Sequence, residues 1–505
     1  MASWKTARLV AGALAAAFAG TAPAAAEWRR AESANFIVYS EESEPKLREQ
    51  VALLEDYHDF LRSLTGVNEP PSPNKLPVYI LRNHRQLETV RDVGSSVAGF
   101  YTANSGGIGA FAQARSSGLD GDEILLHEIA HHFMMQYRPT AYPPWFVEGF
   151  AEYVATARFK PNAIEFGLPS DNRTSWLRNV QWLPIEEVLF SLPPRRGPQM
   201  ALFYAQSWLL AHYVMRDPAL GNKFKSYIRA RVDGVENRKA FTDAFGEIRA
   251  FDRALQAYAR KGMTFTSRKR ASAAAAPAMT VTLLPRAAED LLLAEATMQI
   301  GVGDKEAPAL LERVRRAAAR HSSEPYAQRV LARAEVLLGD GAKGDALLDA
   351  LLAKTPKDAE LLYLKGMRHL VAGRKADDPE PSFKQARIWF ARAHKADKDH
   401  FPTLVRYAES LRTDARFDSD NTLNILLLAH DLAPQVDEVT MNTASLLIAR
   451  KRFDEAETLL LPLASNPHNE GLAAAAGVLL QRARNKNTAP AEVAAPTEAD
   501  GAGTR

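Results

Sequence analysis

The five residues His127-Glu128-Ile129-Ala130-His131 set two imidazoles four positions apart, with a carboxylate beside the first. On a helix that spacing brings both rings to one face, where together they can bind one Zn²⁺. The chain contains no cysteine, so a zinc ion here is held by nitrogen and oxygen alone. Glu128 would stand beside the metal, able to take a proton from an activated water. The surrounding run, Ile124 to Met135, is apolar-periodic and follows Asp120 and Glu123, so a helix is expected to carry the motif.

A second segment, Pro144-Trp145-Phe146-Val147-Glu148-Gly149-Phe150-Ala151-Glu152-Tyr153, follows Pro143 and is expected to open another helix. With the first it resembles the gluzincins, the group of zinc peptidases that includes thermolysin and the aminopeptidases related to leukotriene hydrolase. The resemblance implies that Glu148 is the third metal ligand and that Glu152, one turn on, orients a ligand imidazole. Sixteen residues, His132 to Val147, separate His131 from Glu148, enough for a turn between packed helices. In the aminopeptidase branch a Tyr opening a later helix hydrogen-bonds the developing oxyanion. Phe203-Tyr204-Ala205-Gln206-Ser207-Trp208 matches that place, which implies this role for Tyr204. The whole of residues 27–262 resembles the peptidase MA-like domains of bacterial proteins.

Each of these residues also has a structural reading. The two histidines can be satisfied core groups, Glu148 a charge at a helix N-terminus, Glu152 a solvated side chain and Tyr204 a core aromatic. His132 points about 100° away from His131 on a helix, which favours packing or surface for it.

The elements that must position these groups follow from periodicity. Asn35 to Tyr39 and Leu76 to Leu81 read as strands, Pro45 to Leu64 as an amphipathic helix between them, an α+β opening. The Gly-rich stretch Gly99 to Gly109 reads as a loop running into a short edge strand, Ala110 to Ala114. Helices dominate from Asp122, the last of them closing over Arg253 to Lys261. Residues 263–284, rich in Ser, Ala and basic side chains, are expected to form a linker.

Beyond residue 285 amphipathic helices come in pairs. Glu324 to Pro356 holds two helices about a Gly339-Asp340-Gly341 turn, and Asp437 to Pro467 repeats the pattern, with Ala444, Ala456 and Leu460 at packing positions. Ala359 to Asp397 and Thr403 to Pro434 fit between them. A spacing of roughly 34 residues resembles tetratricopeptide repeats, which implies an all-α solenoid over 285–484 with a concave face for a peptide or protein partner. A tail, 485–505, is expected to be disordered.

Lys5 and Arg8, the apolar run from Leu9 and Ala24-Ala25-Ala26 read as a cleavable signal over residues 1–26, so the protein is expected to be exported, to periplasm or medium. The composition, 46% hydrophobic and 24% charged, is that of a folded chain. The formal charge of +3 falls to +1 once Lys5 and Arg8 are removed, which gives no sign of nucleic-acid binding. The expected activity is therefore zinc-dependent hydrolysis of peptide bonds. Its rivals are an idle peptidase fold serving as a binding scaffold and a zinc hydrolase of another amide. In the aminopeptidases that the chain resembles, a Gly-containing strand motif upstream of the zinc helix ends with a Glu that holds the substrate's ammonium; the corresponding place, Gly106 to Ala112, contains no acid, so the resemblance implies endopeptidase rather than aminopeptidase action.

Overall fold

A computed structural model describes residues 27–95, 97–114, 121–169, 171–194, 197–270, 277–412, 419–467 and 469–488. The expected signal, residues 1–26, and most of the expected tail lie outside them.

The chain opens with β1 (Arg29–Glu32), β2 (Phe36–Ser40), α1 (Glu44–Thr65), β3 (Leu76–Leu81), α2 (His84–Val90), β4 (Gly99–Asn104) and β5 (Gly107–Gln113). Strands β2, β3 and β5 run parallel, joined by helical crossovers, while β4 pairs antiparallel with β5 and β1 with β2. Alternation along β3 shows that both sheet faces are covered. Val78 and Ile80 join the core under α1, whereas Tyr79 and Leu81 face the opposite way, with Leu87 and Val90 of α2. On that second face Tyr39 stacks on Tyr79 and Tyr79 on Phe111.

The Gly-rich stretch is not a loop but the β4–β5 hairpin. The strand following it is not an edge either: β5 lies between β3 and β4, and β4 takes the edge. Glycine is needed at Gly99 because a Cβ there would lie 2.8 Å from the Ile124 side chain and 2.9 Å from the Phe111 carbonyl. This lets the next helix lie close against the hairpin.

That helix is α3 (Gly121–Tyr137), followed by α4 (Pro144–Ala155), the short strands β6 (Arg158–Phe159) and β7 (Ala163–Phe166), α5 (Asp171–Asn179), α6 (Ile185–Phe190), α7 (Gly197–Arg216), α8 (Pro218–Val232), α9 (Asn237–Phe245) and α10 (Ile248–Arg260). Helices α4 and α7 meet most tightly at Gly149, where a Cβ would be 2.1 Å from the Ser207 carbonyl oxygen. Only a glycine allows that backbone contact. Trp145 and Trp208, both fully buried, flank the contact and belong to the main core.

The segment expected to be a linker supplies two strands instead. β8 (Thr266–Lys269) pairs with β7, and β9 (Thr280–Leu283) pairs with β1 along the outer edge of the main sheet. A β-pattern of Thr and Val in an otherwise loop-like composition is completed by long-range partners.

The remainder is helical: α11 (Ala288–Ile300), α12 (Ala307–Arg320), α13 (Pro325–Leu338), α14 (Gly341–Leu352), α15 (Ala359–Arg374), α16 (Glu380–Ala396), α17 (Phe401–Glu409), α18 (Asp420–Leu432), α19 (Asp437–Ala449), α20 (Phe453–Ala464) and α21 (Glu470–Arg484). The four expected helix pairs correspond to α13–α14, α15–α16, α17–α18 and α19–α20. Small residues set the crossings: a Cβ on Gly366 would lie 2.3 Å from the Phe390 ring, and Ala444 and Ala456 are fully buried.

The array does not stand apart from the rest. Its first helix, α11, packs Ala288, Leu292 and Ala296 onto the outer sheet face with Tyr79 and Phe111. Farther on, Arg406 donates to the Ser105 hydroxyl (2.6 Å), Asn74 to the Leu432 carbonyl (3.0 Å) and Arg231 to both the Ala141 carbonyl (2.8 Å) and Ser465 (3.3 Å). Among the described residues no helix is long and apolar enough to cross a membrane.

Candidate metal centre

Helix α3 is apolar on nearly every side, with Leu126, Ile129, Ala130 and Phe133 buried, as befits a helix enclosed by sheet and helices. The imidazoles of His127 and His131 face α4. Helix α4 starts on the proline expected there and buries Trp145, Phe146, Phe150, Tyr153 and Val154. Within that apolar helix Glu148 is fully buried. A carboxylate in such a place costs several kcal/mol unless something compensates its charge.

What it faces is the histidine pair. The Nε2 atoms of His127 and His131 lie 3.0 Å apart, and Oε2 of Glu148 is 3.5 Å from each. A tetrahedral ion with ligand bonds of about 2.0–2.1 Å separates its ligand atoms by about 3.3 Å, so the three donors match one face of such a shell. These three residues are the one cluster among the described residues whose donors converge for a metal. Burial by itself would lower the His127 pKa. The hydrogen bond to Glu148 and the charges of Glu152, Glu128 and Glu148 outweigh it and raise the pKa to about 9. Without a cation, the excess of carboxylates draws a proton to the site. A divalent cation suits this donor set in both charge and geometry.

Glu152 stands 3.5 Å from Nδ1 of His127, on the side of the ring away from Nε2. It is clasped in turn by Arg173 of α5, whose Nε donates to Oε2 at 2.8 Å and whose Nη2 donates to Oε1. Burial would raise the Glu152 pKa, but Arg173 and then His127 overcome it, and the net shift is downward. Glu152 therefore stays a carboxylate and can fix the tautomer that presents Nε2. The Arg173 guanidinium also lies over the Tyr204 ring, 5.4 Å from its centre.

Tyr204 sits on α7 with its ring 6.5 Å from that of His127. Burial first, then Glu148, Glu152 and Glu128, push its hydroxyl well above the usual phenol range, so it remains a proton donor at neutral pH. Glu128 is close enough for its charge to act on both His127 and Tyr204. All six residues singled out in the sequence thus lie in one neighbourhood. Arg173 was missed, because an arginine 21 residues beyond Glu152 carries no pattern that sets it apart from Arg178.

His132, expected to pack or lie at the surface, is buried and hydrogen-bonded through Nδ1 to the Tyr101 hydroxyl of β4 (3.1 Å). Burial, with a smaller contribution from His58, lowers its pKa to about 3, so it is neutral and structural. Beside the centre lies a cavity of about 70 Å³ bordered by His131, Arg138 and Val147 on one side and by Gln435, Asp437 and Pro462 on the other. The helical array therefore forms one wall of the cleft.

No protein-family model matches the chain. An uncharacterized protein of Bacillus subtilis, YhcO, is 27% identical over 124 residues, which cover 21% of this chain and 38% of that protein. The chain thus spans well under half the length of that relative. A thermophilic tetratricopeptide-repeat protein of Thermus thermophilus aligns with 39% of this chain and 99% of its own, at 20% identity and a TM-score of 0.32.

Proposed function

We propose that this chain is an exported zinc-dependent peptidase of the gluzincin type, with His127, His131 and Glu148 as metal ligands. The observation that carries this reading is the triangle of donor atoms, 3.0, 3.5 and 3.5 Å on its sides, one corner of which is a fully buried carboxylate. Zinc, when bound there, would polarise the substrate carbonyl and acidify a water. Glu128 takes the proton from that water and passes it to the departing amine. The Tyr204 hydroxyl, kept protonated by its surroundings, donates to the oxygen on which negative charge develops. Arg173 and Glu152 hold the His127 ring so that Nε2 faces the centre.

Peptide bonds are the preferred substrate over other amides because the cleft is walled on one side by a helical array of the kind that holds a peptide or protein. Endopeptidase action is favoured, since Gly106 to Ala112 offers no carboxylate to an amino terminus. Intact Glu128 counts against the rival reading of an idle fold used as a scaffold.

The test is zinc content of the purified mature chain together with digestion of a peptide library. One zinc per chain and cleavage are expected. Glu128→Gln should retain zinc and lower the rate by about 10²–10⁴-fold, while Glu148→Ala should lose zinc as well. A chain that stays free of zinc after metal-replete purification would remove the basis of the proposal.

A further inference from the structure

Asp437 is the first residue of α19, yet it faces the cleft rather than open solvent. It borders the same cavity as the ligand His131, and its charge is felt by Tyr101 on the edge strand β4. Among the described residues its carboxylate makes no ion pair and no side-chain hydrogen bond. The one arginine bordering the cavity, Arg138, is engaged elsewhere, donating to Glu69 and to the Gly66 carbonyl, both at 2.9 Å.

We propose that Asp437 is a cation-binding subsite of the cleft, pairing with an ammonium or guanidinium of the bound peptide close to the scissile bond. This rests on the peptidase reading above. Three observations converge on it. The cavity adjoins a metal ligand, so a group seated there belongs to a substrate lying across the centre. Asp437 also reaches the outermost strand of the sheet, β4, where its charge acts on Tyr101. The acid lacks the partner that a half-buried carboxylate needs.

The electrostatics agree. An acidic residue in the first turn of a helix is ordinarily stabilised as an anion by the helix dipole. At Asp437 burial prevails and raises the pKa to about 7. A cation entering the cavity would hold the group ionised and supply the missing partner. The carboxylate comes from the helical array, so the array takes part in choosing the substrate; if it is an amino terminus that Asp437 holds, the preference for endopeptidase action gives way while the metal centre stands.

Two groups share this chemistry: the free amino terminus of the peptide and a Lys or Arg side chain. The experiment uses zinc-loaded full-length Glu128→Gln protein, which retains the ligands but lacks the proton acceptor. Three otherwise identical peptides are titrated by calorimetry: one with a free amino terminus and no basic side chain, one N-acetylated and neutral, and one N-acetylated with a single lysine. At least one cationic peptide should bind about tenfold more tightly than the neutral one, an advantage that disappears in the added, isosteric Asp437→Asn change. Whichever cationic peptide shows the advantage identifies the source.

Equal binding of all three peptides overturns the subsite without any variant being needed. An advantage that survives Asp437→Asn, or a variant whose melting temperature falls while its peptide preference stays, also overturns it and leaves Asp437 as a helix-terminal charge. Cleavage by the unmodified chain is scored separately. A binding preference without cleavage would sink the hydrolase reading alone, and cleavage without preference would sink the subsite alone.

Discussion

The metal centre and the helical array both bury charge, but in opposite ways. In the array the buried ions Lys365, Glu335 and Arg333 each have an opposite partner on a neighbouring helix: Lys365 contacts Asp345 at 2.6 Å and Asp349 at 2.8 Å, Glu335 contacts Arg315 at 2.7 Å, and Arg333 meets Glu360. Around His127 and His131, by contrast, three carboxylates of one sign gather, Glu128, Glu148 and Glu152, with Arg173 as the cation that offsets them among the described residues. These three charges of the array are satisfied by the fold. In the second, Glu148 converges with the two imidazoles in a geometry that could hold a metal ion. Like charges brought together in a buried place are the physical mark of a site, whereas opposite charges brought together are the mark of an architecture.

The largest test of this contrast is to separate the two regions. Truncation after Met263 removes β9 from the edge of the sheet and α11 from its outer face, laying bare Tyr79, Leu87 and Phe111. The fragment is expected to precipitate or to melt far below the full chain, measured by light scattering and calorimetry. A soluble fragment that still binds zinc would mean that the N-terminal half is self-sufficient and the contacts with the array incidental.

Arg173→Gln asks whether this balancing charge matters. It should weaken zinc affinity or kcat/KM by about 10–100-fold, the usual range for a group that orients a ligand imidazole. Competition with a chelator reads the affinity, and Arg173→Lys should recover part of the loss. No change in either quantity would show that Glu152 holds His127 unaided.

Two glycines give the smaller, paired effects. Gly149→Ala forces a methyl group against the Ser207 carbonyl where α4 crosses α7, and should cost about 1–3 kcal/mol by denaturant unfolding. It should also lower activity, because Glu148 and Tyr204 ride on these two helices. Gly477→Ala in α21 meets nothing within 4 Å and should stabilise by roughly 0.5–1 kcal/mol through helix propensity, with activity unchanged. Equal effects at the two positions would contradict the tight crossing at the site.

Much of the molecule could be read before folding. The strands Phe36–Ser40 and Leu76–Leu81 and the four helix pairs appeared as periods of two and of 3.6, because their apolar faces are local patterns. The geometry of His127 and His131 also follows from the chain, since four residues on a helix bring two side chains together whatever surrounds them. Other features have no local signal. The β4–β5 hairpin was hidden by glycines required for close approach, and β8 and β9 by a Ser- and Ala-rich composition whose order depends on strands more than a hundred residues away.

What the sequence by itself determined is the identity and helical spacing of the residues that converge on the centre, together with the repeat of paired helices that follows. Only the tertiary structure decided that Arg173 closes on Glu152 and that β4, not β5, is the free edge. It alone decided as well that Asp437 of the array borders the same cavity as His131. The reason is that a helix dictates neighbours three and four residues apart, whereas contacts between distant elements are chosen by burial and packing of the whole chain, which no short pattern records.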